Sequence, residues 1–232
     1  LRLARAKGIR ITVAVTISAL YREEVLSVLV DADSDVFVVD DYREERRFEL
    51  RHCLAALADI EVPVAPSVRQ EIGKKAWPSL SEGTNQEKGR RLEALLAFLF
   101  SQVNDLKVVE RNFRTETEEI DLILQVDNFS PRVWQKSGVP FILVEAKNRQ
   151  DKASQPMMSV LLNKLQTKRG TARIGIMISI GGFTSDAREQ ELRFSTQEIC
   201  VVMIDSAGLE GLLASDNLDD ELETLVRRAL LR

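Results

Sequence analysis

From Gln86 onward the chain alternates amphipathic helices with short apolar strands, and that order constrains the fold more than any other feature. The segment "EKGRRLEALLAFLFSQV" sets Leu92, Leu95, Leu96, Leu99 and Val103 at helical spacing, a stripe that needs an apolar partner. Three strand segments follow: "LKVVERNF", "EEIDLILQV" and, after the turn "SPRVWQKSGVP", "FILVEAK". Next comes a helix over 155–169, with Gly170 near its C-terminal cap. The buried strand "RIGIMISI" leads through a glycine turn into the helix of "GGFTSDAREQELRF", with Thr184 or Ser185 as N-cap. The strand "ICVVMID" and the helix "DNLDDELETLVRRALLR" complete the order, the acidic start and basic end of that helix suiting its dipole. Helix, three strands, helix, strand, helix, strand, helix predicts a mixed α/β domain built round one central sheet flanked by helices.

Residues 9–80 read as a smaller unit. "IRITVAVTI" is apolar, "SALYREEVLSVLVDA" has a helical pattern, "DVFVVD" is a short strand, and "REERRFELRHCLAALAD" again looks helical. These suggest a small α/β unit; the alternative is a winged-helix module in which "VFVVDDYREERRFEL" folds as a hairpin wing. Two prolines in "EVPVAPSVRQ" and the polar run "AWPSLSEGTNQ" place a break across 62–84. The expected division is therefore 1–80, for recognition or partner binding, and 81–232. The chain opens on leucine, which leaves an upstream domain open.

Several function classes drop out on residue content. With His52 the single histidine, the chain has no zinc-finger spacing and no His-metal helix; a GxSxG with a histidine partner and a phosphate-binding GxxxxGK[ST] loop are absent as well. Cys53 and Cys200 stand far apart in no paired motif, so two buried free thiols in a reducing compartment are expected. "LRLARAKGIR" is basic but lacks a cleavage-site pattern, and the longest uncharged runs fall short of a membrane span. A cytoplasmic protein with no membrane association is the expectation. A net charge of −4 argues against a broadly basic nucleic-acid binder, though not against a local basic surface beside a carboxylate site.

One stretch conflicts with its surroundings. In "FILVEAKN" the strand alternation puts Phe141, Leu143, Glu145 and Lys147 on one face, a carboxylate and an ammonium where the pattern says core. Asp121 interrupts the preceding strand opposite Ile120, Leu122, Leu124 and Val126, and Glu93 borders the apolar stripe of the first helix. Taken singly these are a strand-end acid, a surface ion pair worth little, and a rim residue. Taken together they have a chemical rationale. Two carboxylates at neighbouring strand ends suit Mg²⁺, which binds through one or two carboxylates and keeps several waters. Such an ion acidifies water and neutralises charge on a phosphate, and a lysine beside it can stabilise that charge as it develops.

On "GRRLEALLAFLF", "EIDLIL", "FILVEAKN" and "RIGIMISIGGFTSDARE", residues 87–205 resemble the PD-(D/E)xK nuclease superfamily and, within it, the Mrr-like restriction endonucleases. Ile120 stands where the motif carries its proline. The resemblance implies a restriction-endonuclease-like fold. It implies Asp121, Glu145 and Glu93 as Mg²⁺ ligands and Lys147 as the catalytic lysine. It also brings polar residues of the 155–169 helix toward the site or the phosphate backbone: Lys164, Lys168 and Arg169 are the expected DNA contacts, with Asn163 and Gln166 beside them. Arg90 and Arg91 are further phosphate candidates or a solvated helix start, whereas Trp77 and Trp134 are expected to pack. The function implied is a Mg²⁺-dependent DNA endonuclease of bacterial restriction or phage defence, working as a homodimer or larger assembly. Cleavage of RNA or branched DNA is the alternative within the same chemistry, and a catalytically silent binding module the alternative outside it.

Overall fold

The computed structural model describes the strands Val13–Thr16, Val36–Asp40 and Glu44–Phe48, and residues 64–232 apart from 117, 128, 138 and 194–197. The three N-terminal strands (β1 Val13–Thr16, β2 Val36–Asp40, β3 Glu44–Phe48) form one sheet, β1 parallel to β2 and β2 antiparallel to β3. Residues 44–48, read from their charge pattern as part of a helix, are thus a strand. Their pairing, from Val36↔Phe48 to Asp40↔Glu44, outweighs a weak local preference. β2 and β3 lie in the segment that the winged-helix alternative takes as its wing, and β2 also pairs with β1 on its other side. The two N-terminal helices, His52 and Cys53 lie outside the described residues.

The second sheet has five strands in the order β4 (Leu106–Arg114), β5 (Glu119–Val126), β6 (Phe141–Lys147), β7 (Ala172–Ser179) and β8 (Cys200–Asp205). Its first two pairings are antiparallel and its last two parallel. Helices cover both faces, as β7 requires: its residues Ile174–Ser179 are all buried. One face packs Leu122, Leu124, Val144 and Ile176 against α1 (Pro66–Ala76), α2 (Asn85–Ser101), α5 (Ser206–Ala214) and α6 (Leu218–Leu230). The other packs Leu143, Met177 and Val201 against α3 (Gln155–Thr167) and α4 (Ser185–Arg193). The predicted fold class, a mixed central sheet between helices, is what the chain adopts.

Two helices were not read from the sequence. The first, α1, begins at Pro66, a residue that reads as a break but suits the first position of a helix, where no N–H is needed. Val68, Ile72, Ala76 and Leu80 join the same core as α2, and Arg69 and Gln70 donate to the carbonyls of Ser215 and Ala214. Residues 64–80 therefore share a core with 81–232, and a cut at residue 80 passes through packed side chains. The second, α5, carries Gly208 and Gly211, which lower its propensity. Burial of Leu209, Leu212 and Leu213, with Asp205 capping the Gly208 N–H, holds it.

The expected stripe of α2 is fully buried, and its start carries a capping box in which Thr84 and Glu87 satisfy each other's backbone N–H groups. Trp77 and Trp134 sit in short 3-10 turns and pack against the first core, Trp134 fully buried. Cys200 is a buried free thiol, its pKa pushed up to about 12 by burial. Thr184, not Ser185, caps α4 by accepting from the Ala187 N–H.

Candidate active site

The site begins where a ladder stops. Pairing between β5 and β6 runs from Gln125↔Phe141 to Leu122↔Val144 and goes no further. The next free donor on β6, the Ala146 N–H, is taken instead by the Asp121 carboxylate, whose Oδ2 accepts it at 2.7 Å. Asp121 thus stands in for a backbone acceptor at the point where the two strands part. On its other side β4 is also irregular: Asn112 adopts φ +50 between the registered pairs Arg111↔Leu122 and Phe113↔Ile120. Asparagine tolerates this left-handed conformation better than most residues. Beyond it the alternation expected for β5 fails, since Ile120 packs in the second core while Leu122, Leu124 and Val126 pack in the first.

Glu145 follows the alternation read from "FILVEAK", lying on the face of Leu143 and under α3. It is 5% exposed, and each of its oxygens meets a lysine. Lys147 Nζ lies 3.1 Å from Oε1 and Lys164 Nζ 2.6 Å from Oε2. The two ammoniums differ in setting: the Lys147 side chain is 28% exposed and that of Lys164 only 8%. Burial and the neighbouring Glu145 charge push the Asp121 carboxyl up to about 7, against the opposing Ala146 N–H and Lys147, and Glu93 adds to the upward push. Glu93 stands half-buried on α2 within electrostatic reach of both Asp121 and Arg114. Among the described residues no three His, Cys, Asp or Glu side chains stand close enough to share one metal ion. Asp121, Glu145 and Lys147 are therefore brought together, with Glu93 at the edge.

The residues expected to meet phosphate fare unequally. Leu161, Lys164, Leu165 and Lys168 share one face of α3 and its end, and Leu161 and Leu165 are buried against the sheet. That face carries Lys164 inward, where it bonds Glu145 and the Glu119 carbonyl rather than facing solvent. Lys168 pairs with Glu118 and holds that carboxyl below its usual range. Arg169 is exposed just past the helix at φ +52. Asn163 and Gln166 lie on the exposed face. On α2, Arg90 is exposed, whereas Arg91 donates to the carbonyls of Ser79 (2.9 Å) and Glu82 (2.6 Å).

Sequence reasoning missed Asn148. Its Nδ2 donates to the carbonyls of Leu80 (2.9 Å) and Lys88 (2.8 Å), tying the end of β6 to the start of α2. Its place directly after Lys147 was the signal available. The glycine turn is tied in as well. Ala153 bridges Phe183, and a Cβ on Gly181 would sit 2.5 Å from Asp151 O and closer still to Gln150 O. Gly182 takes φ +80, which glycine adopts without penalty.

Comparison with known proteins gives a family match over this region. Residues 92–202 match the model of the uncharacterised protein family UPF0102. The matched span contains Glu93, Asp121, Glu145, Lys147 and Lys164. A solved structure described as "Structure of EndoMS-dsDNA2 complex" shows 12% identity and a TM-score of 0.31, covering 44% of this chain and 37% of that one. No curated protein matches the chain. Among the described residues no helix is long and apolar enough to cross a membrane.

Proposed function

We propose that this chain is a divalent-metal-dependent nuclease that hydrolyses DNA phosphodiester bonds, with Mg²⁺ as the expected ion. The observation that carries the reading is the parted end of β5 and β6, where two buried carboxylates repel each other beside a partly exposed lysine. Asp121 and Glu145 would hold the ion. Both are hard oxygen donors, and a cation between them offsets the burial cost and the Glu145 repulsion that together push Asp121 up to about 7. With no third acid converging among the described residues, waters and substrate would complete the shell, as Mg²⁺ prefers. Glu93 would act through its charge. Bound there, the ion supplies Lewis-acid activation of water and neutralisation of phosphate charge.

The chain's own residues do the rest. Asp121 stays fixed by the Ala146 N–H, so its second oxygen is aimed without loss of the first. Lys147 can leave Glu145 Oε1 without stranding that carboxylate, because Lys164 remains on Oε2. Its ammonium is then available to a phosphate oxygen, where it stabilises charge as it develops. Arg169 and Arg90 offer exposed cations for the DNA backbone. The finer assignment, a restriction or phage-defence enzyme, rests on the Mrr-like sequence features, and a dimer or larger assembly on the two active sites that double-strand cleavage needs.

Supercoiled-plasmid nicking with Mg²⁺ and with chelator tests the reading. Lys147→Ala should cut at least about 10²-fold more slowly while melting within about 1 kcal/mol of the parent, since a partly exposed ion pair contributes little. Parental cleavage by Lys147→Ala, or cleavage that survives chelation, would refute this mechanism. Cleavage confined to RNA or branched DNA would keep the site and change the substrate.

A further inference from the structure

We infer that Lys164 is a positioning residue of this site, a latch between α3 and the parted ends of β5 and β6, and not a phosphate contact. The inference rests on the proposed site but on different atoms. From one buried ammonium, Lys164 donates to Glu145 Oε2 on β6 and to the Glu119 carbonyl on β5, two residues before Asp121. Neither strand supplies these bonds to the other, because their ladder ends at Leu122↔Val144. Across the gap run Asp121 to the Ala146 N–H and Lys164 to both strands. Lys164 therefore sets the distance between the strand carrying Asp121 and the strand carrying Glu145.

The latch also settles which way Glu145 faces. Oε2 is held toward α3 by an almost fully buried partner, so Oε1 is the oxygen turned to Lys147. The two lysines accordingly divide the work. Lys147, the more exposed, can exchange partners; Lys164 is enclosed by Leu161 and Leu165 on its own face and stays in place. With its side chain only 8% exposed and its ammonium already bonded to both strands, Lys164 offers little surface to a phosphate.

The test uses the full chain with neither metal nor DNA, so its outcome is independent of any nuclease activity. Amide exchange is followed in the parent, Lys164→Met and Lys164→Arg. Lys164→Met should speed exchange of the Ala146 N–H at least tenfold while the amides of the Ile123↔Leu143 and Leu124↔Ile142 pairs keep parental protection. Lys164→Arg, which restores a cation of similar reach, should recover much of that protection. Unchanged Ala146 exchange overturns the latch, and a uniform loss of protection across the sheet reduces Lys164 to a general stabiliser. Should Lys164→Met fail to fold, Glu145→Gln combined with Lys164→Met removes both charges; the latch requires fast Ala146 exchange there too. In the nicking assay Lys164→Met should lower kcat tenfold or more with the KM for DNA and its salt dependence unchanged. A shallower salt slope with Ala146 still protected would make Lys164 a phosphate contact after all. If the parent fails to nick, the nuclease reading falls while the exchange experiment still decides the latch.

Discussion

Replacing Asp121 with asparagine should raise stability at pH 8 and leave it unchanged at pH 4. The folded chain holds the Asp121 proton up to about pH 7, whereas an ordinary aspartate releases it near 3.8. Between those values the folded state binds more protons than the unfolded state. The stabilisation from this group is therefore complete below pH about 4 and lost as pH climbs through 7. At about 1.4 kcal/mol for each pH unit, the separation sets a ceiling of about 4 kcal/mol. Water entry and relaxation reduce such buried-charge costs, and the variant forgoes the attraction of Lys147, so about 2 kcal/mol is the expected gain. The substituted amide keeps an oxygen to accept the Ala146 N–H, so the stitch between strands survives. For a chain of this size the gain corresponds to about 4–8 °C in melting temperature. Thermal melts of parent and Asp121→Asn from pH 4 to pH 8 measure it. Mg²⁺ added at pH 8 should then narrow the gap by stabilising the parent alone. Parallel curves across the range, or a variant less stable at pH 8, would show that Asp121 carries no buried charge cost.

Two further outcomes follow from packing. A fragment starting at Gln86 loses α1 and the burial of Val68, Ile72, Ala76 and Leu80, several kcal/mol in all, so it should melt far below the full chain or fail to fold. A fragment starting near Pro63 should melt cooperatively, and circular dichroism distinguishes the two. Gly181→Ala should cost on the order of 1–3 kcal/mol by denaturant unfolding, because its Cβ meets the backbone of Gln150 and Asp151 rather than a movable side chain.

The sequence makes some of this architecture plain and hides the rest for identifiable reasons. The stripe from Leu92 to Leu99 and the uninterrupted run of β7 reveal their burial because period and apolarity agree. Glu145 and Lys147 stand out because they break such a pattern. Pro66 reads as a stop although it begins a helix, and Gly208 and Gly211 conceal α5, whose support comes from distant leucines. Lys164 looks like any cation on a solvated helix face. Its inward turn depends on which face of α3 meets the sheet, and Leu161 and Leu165 at its flanks were the signal. The failed alternation at Ile120 was beyond reach, since the apolar period of Ile120, Leu122, Leu124 and Val126 runs through it unbroken.

The ties made by Asn148 have a mechanical meaning. They fasten the end of β6 to the backbone of Leu80 and Lys88, while the backbone of Gln150 and Asp151 rests on Gly181 and Ala153 bridges to Phe183. The segment after β6 is thus braced against main chain, whereas the partly exposed Lys147 side chain is left to adjust. A frame of that kind does not mould itself to what enters it. Under the proposed reading the compliance must come from the nucleic acid: smooth bending of a duplex by tens of degrees costs on the order of 1–6 kcal/mol, and kinks are easier at flexible pyrimidine–purine steps. A stiff frame would then favour duplexes that already bend, and cleavage preference would follow the ease of deforming DNA as much as its base sequence.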